Sequence, residues 1–228
     1  MTRRQQGILL IVLVAVAVIL VRGGRISTDT AYLLGALIPS IILHEVSHGA
    51  LALAFGDDTA KRAGRLTLNP IAHVDPFGTL VLPVMLAIAT AGQSAFGWAK
   101  PVPVNQRRLR NPRDHGLLVS LVGPGVNIAL ALFAAVMLRT MTITFPLSPT
   151  VLFLYSLGVV NVILAVFNLL PIPPLDGSAV VERLLPARYW EPYLRLRQYA
   201  PALLLVVVLV LPLERVFDPA LELWERLL

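Results

Sequence analysis

The sequence predicts an all-α, polytopic membrane protein with about five to six transmembrane helices. Of its 228 residues, 57% are hydrophobic and 14% are charged, whereas soluble domains are about 45–50% apolar and about 25% charged. The mean hydropathy is +0.77. The chain has no cysteine, which excludes disulfides and thiolate metal sites. In such a composition the net charge of +6 indicates basic cytoplasmic loops rather than a nucleic-acid surface.

The apolar segments follow one another along the chain with polar breaks between them. We interpret the first as a retained helix, because Arg22 and Arg25 follow it instead of a small-residue cleavage site. The predicted spans cover residues 7–21, 30–55, 116–138, 150–170 and 200–213.

Three further segments depart from this pattern. Residues 77–97 are largely apolar, but their apolar run is short and contains Pro83, which predicts a re-entrant segment. Residues 65–68 alternate polar and apolar side chains, which predicts a short β-like loop. Residues 178–199 form a basic amphipathic stretch, which we expect on the cytoplasmic side.

The basic residues predict the orientation of the chain. Arg3 and Arg4 place the N-terminus in the cytoplasm under the positive-inside rule. A re-entrant segment at 77–97 also keeps the basic residues of 100–113 inside, whereas a full crossing would place them outside. The sequence therefore predicts a multi-pass protein whose cytoplasmic side carries the polar ends of the central spans.

One short motif carries most of the chemistry. His44, Glu45 and His48 have the His-Glu-x-x-His spacing, which on a helix puts both imidazoles on one face about 40° apart. This is the pattern of a zinc hydrolase, with two ligands and a general base. These three residues are also the only acidic, basic or imidazole groups between residues 31 and 55. A charge at the bilayer centre costs at least about 2.5–3.5 kcal/mol, so its presence there indicates function.

The residues alone leave the third ligand open. Asp176 follows a run of prolines that ends the 150–170 span, where backbone usually lines a cavity. The alternative is that Asp176 only caps a helix beginning at residue 178. His73 and Asp75 form another candidate pair.

Three asparagines lie inside predicted spans and need hydrogen-bond partners there. Asn127 and Asn161 suit contacts between helices. Asn168 could do the same, or could act beside the metal on a substrate carbonyl.

The chain resembles the site-2 protease family of zinc intramembrane metalloproteases, in its compact bacterial and archaeal branch without a PDZ or CBS domain. Three motifs carry the resemblance, in this order and spacing: His44-Glu45-x-x-His48, Gly123-Pro124-x-x-Asn127 and Asn168-x-x-Pro171-x-x-x-x-Asp176-Gly177. Gln106 departs from the pattern of that branch, which has proline there.

The resemblance implies a site and an activity. It makes His44, His48 and Asp176 the ligands of one zinc ion, Glu45 the general base, and Asn168 a substrate-positioning or oxyanion residue. The implied enzyme is an endopeptidase that hydrolyses peptide bonds in or near transmembrane segments of membrane-bound substrate proteins. It would form a single membrane-embedded domain over residues 1–228, with a three-helix catalytic core at about 30–181.

The same resemblance implies the surroundings of the enzyme. Its partners would be transmembrane protein substrates and the lipid bilayer, with no nucleic acid and with homo-oligomers left open. Its place would be a prokaryotic cell membrane, with the active site opening to the cytoplasm.

The main alternative is a non-proteolytic metal-binding protein or transporter that uses the same His/Asp site. Glu45 argues against it, because transport needs no base beside the first ligand. A prenyl-protein processing protease lacks the Asn168-to-Asp176 pattern. A scaffold that binds through its basic stretch leaves the membrane histidines unexplained.

Overall fold

The computed structural model describes residues 27–75, 99–141, 148–210 and 212–228. Within these ranges the chain forms helices and 3-10 turns, with no strand. The helices are α1 Thr28–Ala54, α2 Thr59–Arg62, α3 Pro112–Met141, α4 Pro149–Leu169, α5 Ser178–Leu184, α6 Trp190–Arg197, α7 Ala200–Val210 and α8 Glu214–Glu225. The 3-10 turns are Pro70–His73, Gln106–Arg108 and Ala187–Tyr189.

Three long helices form the centre of the described structure. Helices α1, α3 and α4 contain 27, 30 and 21 residues, and each is long and apolar enough to cross a membrane. Each packs against the other two. Small side chains such as Ala36, Ala131 and Ala134 are buried between them, so the helix backbones approach closely. The part of the chain that the structure describes is thus all-helical, as predicted, with three helices that could cross a membrane.

The predicted spans agree with the described helices in the middle of the chain. The spans at 30–55, 116–138 and 150–170 correspond to α1, α3 and α4. The last span is shorter than predicted, because α7 has only 11 residues. The segments at 7–21 and 77–97 lie outside the described residues. Five to six spans are therefore not confirmed, and three candidate spans are found in the described part of the chain.

The β-like loop at residues 65–68 is not confirmed, because this segment is irregular in the structure. Arg65 explains its course. The buried Arg65 guanidinium donates to the carbonyls of Ala72, of Lys100 at 2.5 Å and of Pro101 at 3.4 Å. One side chain thus holds the segment in place of the ladder hydrogen bonds that a strand requires.

Helix α8 is anchored on α3 and α4 by one tryptophan. Trp224 is buried against Gly158, where an added Cβ would lie 1.9 Å from its ring. Its indole N–H donates to the Ala131 carbonyl at 2.8 Å. The Tyr155 hydroxyl donates to Glu225 at 2.7 Å. Glycine at position 158 therefore provides the space in which the C-terminal helix docks.

Substituting Gly158→Ala is expected to destabilise the protein by about 1–3 kcal/mol, because the new methyl group overlaps the Trp224 ring. Thermal unfolding in detergent measures the effect. Gly35→Ala is the matched control, since Gly35 is exposed on α1 and no described residue lies within 4 Å of an added Cβ. Equal melting temperatures of the two variants would contradict the packing argument.

Candidate metal centre

Two histidines of α1 and one aspartate from the segment after α4 lie close together. His44 and His48 are 6% and 8% exposed. Their Nε2 atoms lie 3.1 Å apart. Asp176, from the segment after α4, places its Oδ2 atom 3.1 Å from Nε2 of His44 and 3.3 Å from Nε2 of His48. In the described part of the chain this is the one group of three such side chains that could hold a metal ion.

Hydrogen bonds on the far side of each imidazole fix its tautomer. His48 donates from Nδ1 to the Val119 carbonyl at 2.6 Å, and a carbonyl can only accept. His44 donates from Nδ1 to Oδ1 of Asn127 at 2.5 Å. In the neutral imidazole each Nε2 atom then carries the lone pair and faces Asp176, as in metal-binding histidines.

The hydrogen bond to His44 is the first of a buried chain. Asn127 donates onward to Asn161 at 2.8 Å, and Asn161 donates to Ser40 at 2.8 Å. Ser40 donates to the Ala36 carbonyl at 2.7 Å. Asn127, Asn161 and Ser40 are fully buried. The onward bond of Asn127 requires its NH₂ group to face Asn161, so its oxygen faces His44.

Substituting Asn127→Ala is expected to lower zinc affinity about 10- to 100-fold, because His44 loses the bond that orients its ring. Competition with a chromogenic chelator measures this. Asn161→Ala breaks the same chain one bond further from His44, so we expect a smaller loss. If the two variants lost equal affinity, the effect would be general destabilisation instead of ring orientation.

The donor set fits a zinc ion. Oδ2 of Asp176 is buried, has no hydrogen-bond partner among the described residues and faces Nε2 of both histidines. Two imidazoles and one carboxylate match the three protein ligands of catalytic zinc sites, which keep the fourth position open. The N-cap of α5 is Gly177, without a side-chain hydrogen bond, so Asp176 does not cap that helix.

The second candidate pair, His73 and Asp75, is not part of this group. His73 is buried, and its Nε2 donates to the Thr67 carbonyl at 2.8 Å. Its carbonyl accepts the Lys100 N–H at 2.8 Å. His73 therefore joins two loop segments.

Two glycines of the sequence motifs make room for the centre. A Cβ on Gly123 would lie 2.5 Å from Nε2 of His48 and 2.6 Å from Cε1 of His44. A Cβ on Gly177 would lie 2.2 Å from the Leu169 carbonyl oxygen. The first glycine lets α3 reach the histidines, four residues before Asn127 on the same helix face. The second lets the segment carrying Asp176 fold back on α4.

Glu45 and Asn168 lie on the wall of a cavity of about 610 Å³ beside this centre. The half-buried Glu45 accepts the Val102 N–H at Oε2, at 2.7 Å. Asn168 donates from its side chain to the Leu164 carbonyl at 2.9 Å. The cavity is lined by His44, Glu45, His48, Pro101, Val102, Val104, Asn105, Gln106, Arg107, Gly116, Val119, Ser120, Asn168, Pro174, Asp176 and Arg197.

The segment that carries Val102 is fixed at both ends. Arg65 and His73 hold Lys100, and the Asn105 N–H donates to Oδ2 of Asp57 at 2.6 Å. Burial alone would raise the pKa of the Asp57 carboxyl, but hydrogen bonds from Thr59 and Asn105 and the nearby Arg108 charge hold that pKa below its ordinary value. Asp57 is thus an anionic anchor for the segment that contacts Glu45.

Sequence reasoning missed several of these residues. Ser40 had a usable signal, because it precedes His44 by one helical turn and therefore shares its face. Val102 acts through its backbone, for which the sequence carries no signal. Arg65 was placed in the predicted β-like loop at 65–68, with no role in positioning the site.

The comparisons with known proteins place the chain in a family. The family model described as Peptidase family M50 matches residues 144–211, which include α4 and Asp176. The Bacillus subtilis protein named "Putative zinc metalloprotease YwhC" is 43% identical over 164 residues, which cover 68% of this chain and 69% of that protein. The chain belongs to peptidase family M50. This is the site-2 protease family, so the resemblance found in the motifs is confirmed.

Two mycobacterial M50 relatives, both named Rip2, extend the comparison. The Mycolicibacterium smegmatis protein is 34% identical over 198 residues, covering 81% of this chain and 66% of the relative. The Mycobacterium tuberculosis protein is 40% identical over 172 residues, covering 75% of this chain and 63% of the relative. The chain thus spans about two thirds of the length of these relatives. No solved structure matches it. As an M50 member, the chain is a zinc-dependent metalloprotease of the intramembrane type.

Proposed function

We propose that this M50 protease cuts peptide bonds in or near transmembrane segments of other membrane proteins. His44, His48 and Asp176 hold the zinc ion, and Glu45 is the general base. The observation that carries the proposal is the convergence of two imidazole nitrogens and an unpartnered carboxylate oxygen beside Glu45, on the wall of one cavity.

The residues of the chain divide the chemistry between them. When bound, zinc supplies a Lewis acid that polarises the peptide carbonyl and makes the attacking water more acidic. Glu45 takes a proton from that water and returns it to the leaving amine. Oε2 of Glu45 already accepts a hydrogen bond from the Val102 N–H, so Oε1 is the oxygen that takes the proton from the water. One N–H of the Asn168 side-chain amide donates to the Leu164 carbonyl of the same helix. The second N–H of that amide can donate to the developing oxyanion.

We further propose that the cavity opens to the cytoplasm of a prokaryotic cell. The end of α1, the start of α3 and the segment after α4 meet at this site. The loops at this end of the three-helix core carry the basic residues, and the positive-inside rule places such loops in the cytoplasm. With the N-terminal span at 7–21 and a re-entrant 77–97 segment, the single domain would have five to six spans around the core at 30–181.

Comparison of membrane proteomes tests the function. Cells with the wild-type chain are compared with cells that carry Glu45→Gln. We expect a set of transmembrane proteins to be shortened only with the wild-type chain, because hydrolysis needs the base. Identical proteomes from the two strains would contradict intramembrane proteolysis. Cross-linking of the Glu45→Gln variant would show whether copies of the chain associate.

A further inference from the structure

The cavity wall beyond the metal centre is polar. The polar residues that line it there are Asn105, Gln106, Arg107, Ser120 and Arg197. A wholly apolar helix placed against this wall would remove these groups from water without giving them hydrogen-bond partners. The wall therefore fits a substrate segment that itself carries polar side chains.

The charges on this wall are unequal. The acidic side chains that line the cavity are Glu45 and Asp176, and both already have a role in the zinc chemistry. Arg107 and Arg197 add two positive charges, and a bound zinc ion adds two more. With zinc bound, the lining as a whole is positive, so it attracts an anionic group.

Arg107 carries the charge that is available to a substrate. It is exposed, on the 3-10 turn Gln106–Arg108. Its neighbour Arg108 pairs with Asp58 at 2.7 Å, and Arg197 pairs with Glu182 at 3.0 Å. Among the residues that the structure describes, no carboxylate forms an ion pair with Arg107. Its place in the cavity lining, beside the catalytic groups, favours a substrate carboxylate over a lipid headgroup.

The distance along the chain limits where that carboxylate stands. Arg107 follows Val102 by five positions, and the Val102 N–H contacts Glu45. Five extended residues span at most about 18 Å. A substrate strand that runs along the same wall therefore reaches Arg107 within about five residues of the bond that is cut.

We propose that the substrates of this protease carry an aspartate or glutamate within about five residues of the scissile bond, and that Arg107 binds it. The inference rests on the proposed function, because it concerns the substrate of the same site. It makes Arg107 a specificity-determining residue for membrane proteins whose cleaved segment is acidic and lies near the cytoplasmic border.

A charge exchange tests the pairing. The probes are the transmembrane proteins that the wild-type chain shortens and the Glu45→Gln variant leaves intact. In each probe, every acidic residue near the cleavage site is changed to lysine in turn. Cleavage is then measured in membranes with the wild-type chain, with Arg107→Glu and with Arg110→Glu. Arg110 is the matched control, because it is an exposed arginine of the same segment outside the cavity lining.

At one substrate position we expect the lysine change to reduce cleavage by the wild-type chain about fivefold, as for an exposed ion pair. Arg107→Glu should reduce cleavage of the unaltered probe by a similar factor and should restore cleavage of the lysine probe. Arg110→Glu should cleave both probes as the wild-type chain does. Zinc content confirms that each variant retains its metal centre.

Three results would overturn the inference. One is a set of cleaved probes without acidic residues in this window, and another is equal loss with Arg107→Glu whatever the substrate charge. The third is equal loss with Arg107→Glu and Arg110→Glu, which would assign the arginines to anionic lipid. All three leave the proposed function standing, since the probes are still cut. A wild-type chain that shortens no protein would instead remove the proposed function and this inference with it.

Discussion

The Glu45→Gln variant is expected to bind zinc as the wild-type protein does and to lose proteolysis by about 10²- to 10⁴-fold, the usual contribution of a general base. Glutamine has nearly the shape of glutamate, and its amide oxygen can still accept the Val102 N–H. It cannot take a proton from water at neutral pH. The proposed metal ligands are the side chains of His44, His48 and Asp176, so we expect the change to leave their geometry intact.

Two measurements on purified protein check this prediction. Metal analysis gives the zinc content per chain, and cleavage of a membrane-embedded substrate gives the rate. Glu222→Gln is the control, because Glu222 is an exposed carboxylate of α8 that is not among the residues lining the cavity. It should retain cleavage. A Glu45→Gln protein that cut its substrate at the wild-type rate would overturn the proposed mechanism.

The same pair of measurements separates the protease from a transporter. Ion transport through a His/Asp site requires the ligands but no base next to the first of them. A transporter would therefore tolerate Glu45→Gln with little change in metal flux. In the structure, Glu45 lies on the cavity wall, accepts the Val102 N–H and is not one of the three residues of the metal group.

Helical periodicity predicted the part of the site that lies on one helix. His44 and His48 are one turn apart, so their shared face followed from spacing alone. Asp176 could not be placed that way, because it is 132 residues further along the chain and stands in an irregular segment. The proline-terminated span already favoured it as the third ligand, and the family resemblance strengthened that choice. The structure supports that choice through the position of Oδ2, since no rival carboxylate reaches the histidines in the described residues.

The connections between segments were the least predictable part of the fold. The alternation at residues 65–68 predicted a β-like loop that the structure does not confirm. Alternating polarity describes only the side chains and does not show whether the backbone pairs with another strand. The structure instead uses Arg65 to hold carbonyls that are up to 36 residues away. Likewise, the sequence indicated that Asn161 needs a partner but could not identify Ser40, which is 121 residues away. Such contacts depend on the packing of three helices and have no local signature.

The Asp176→Ala variant is expected to bind zinc at least about 100-fold more weakly than the wild-type protein, and therefore to lose cleavage. Removing a ligand should cost more than removing a residue that only orients one, and the latter already costs about 10- to 100-fold. In the structure, Asp176 is the only carboxylate of the metal group among the described residues, so the two histidines alone would remain. Two imidazoles fall short of the three protein ligands of a catalytic zinc site.

Chelator competition and metal analysis measure this loss without relying on activity. Asp218→Ala is the matched control, because Asp218 is an exposed carboxylate on α8. Gly177→Ala should reproduce part of the defect while keeping every ligand, since its methyl group would collide with the Leu169 carbonyl and displace Asp176. An Asp176→Ala protein with wild-type zinc affinity would show that another group completes the site. In that case the position of Oδ2 between the two histidines would be a consequence of packing and not of metal binding.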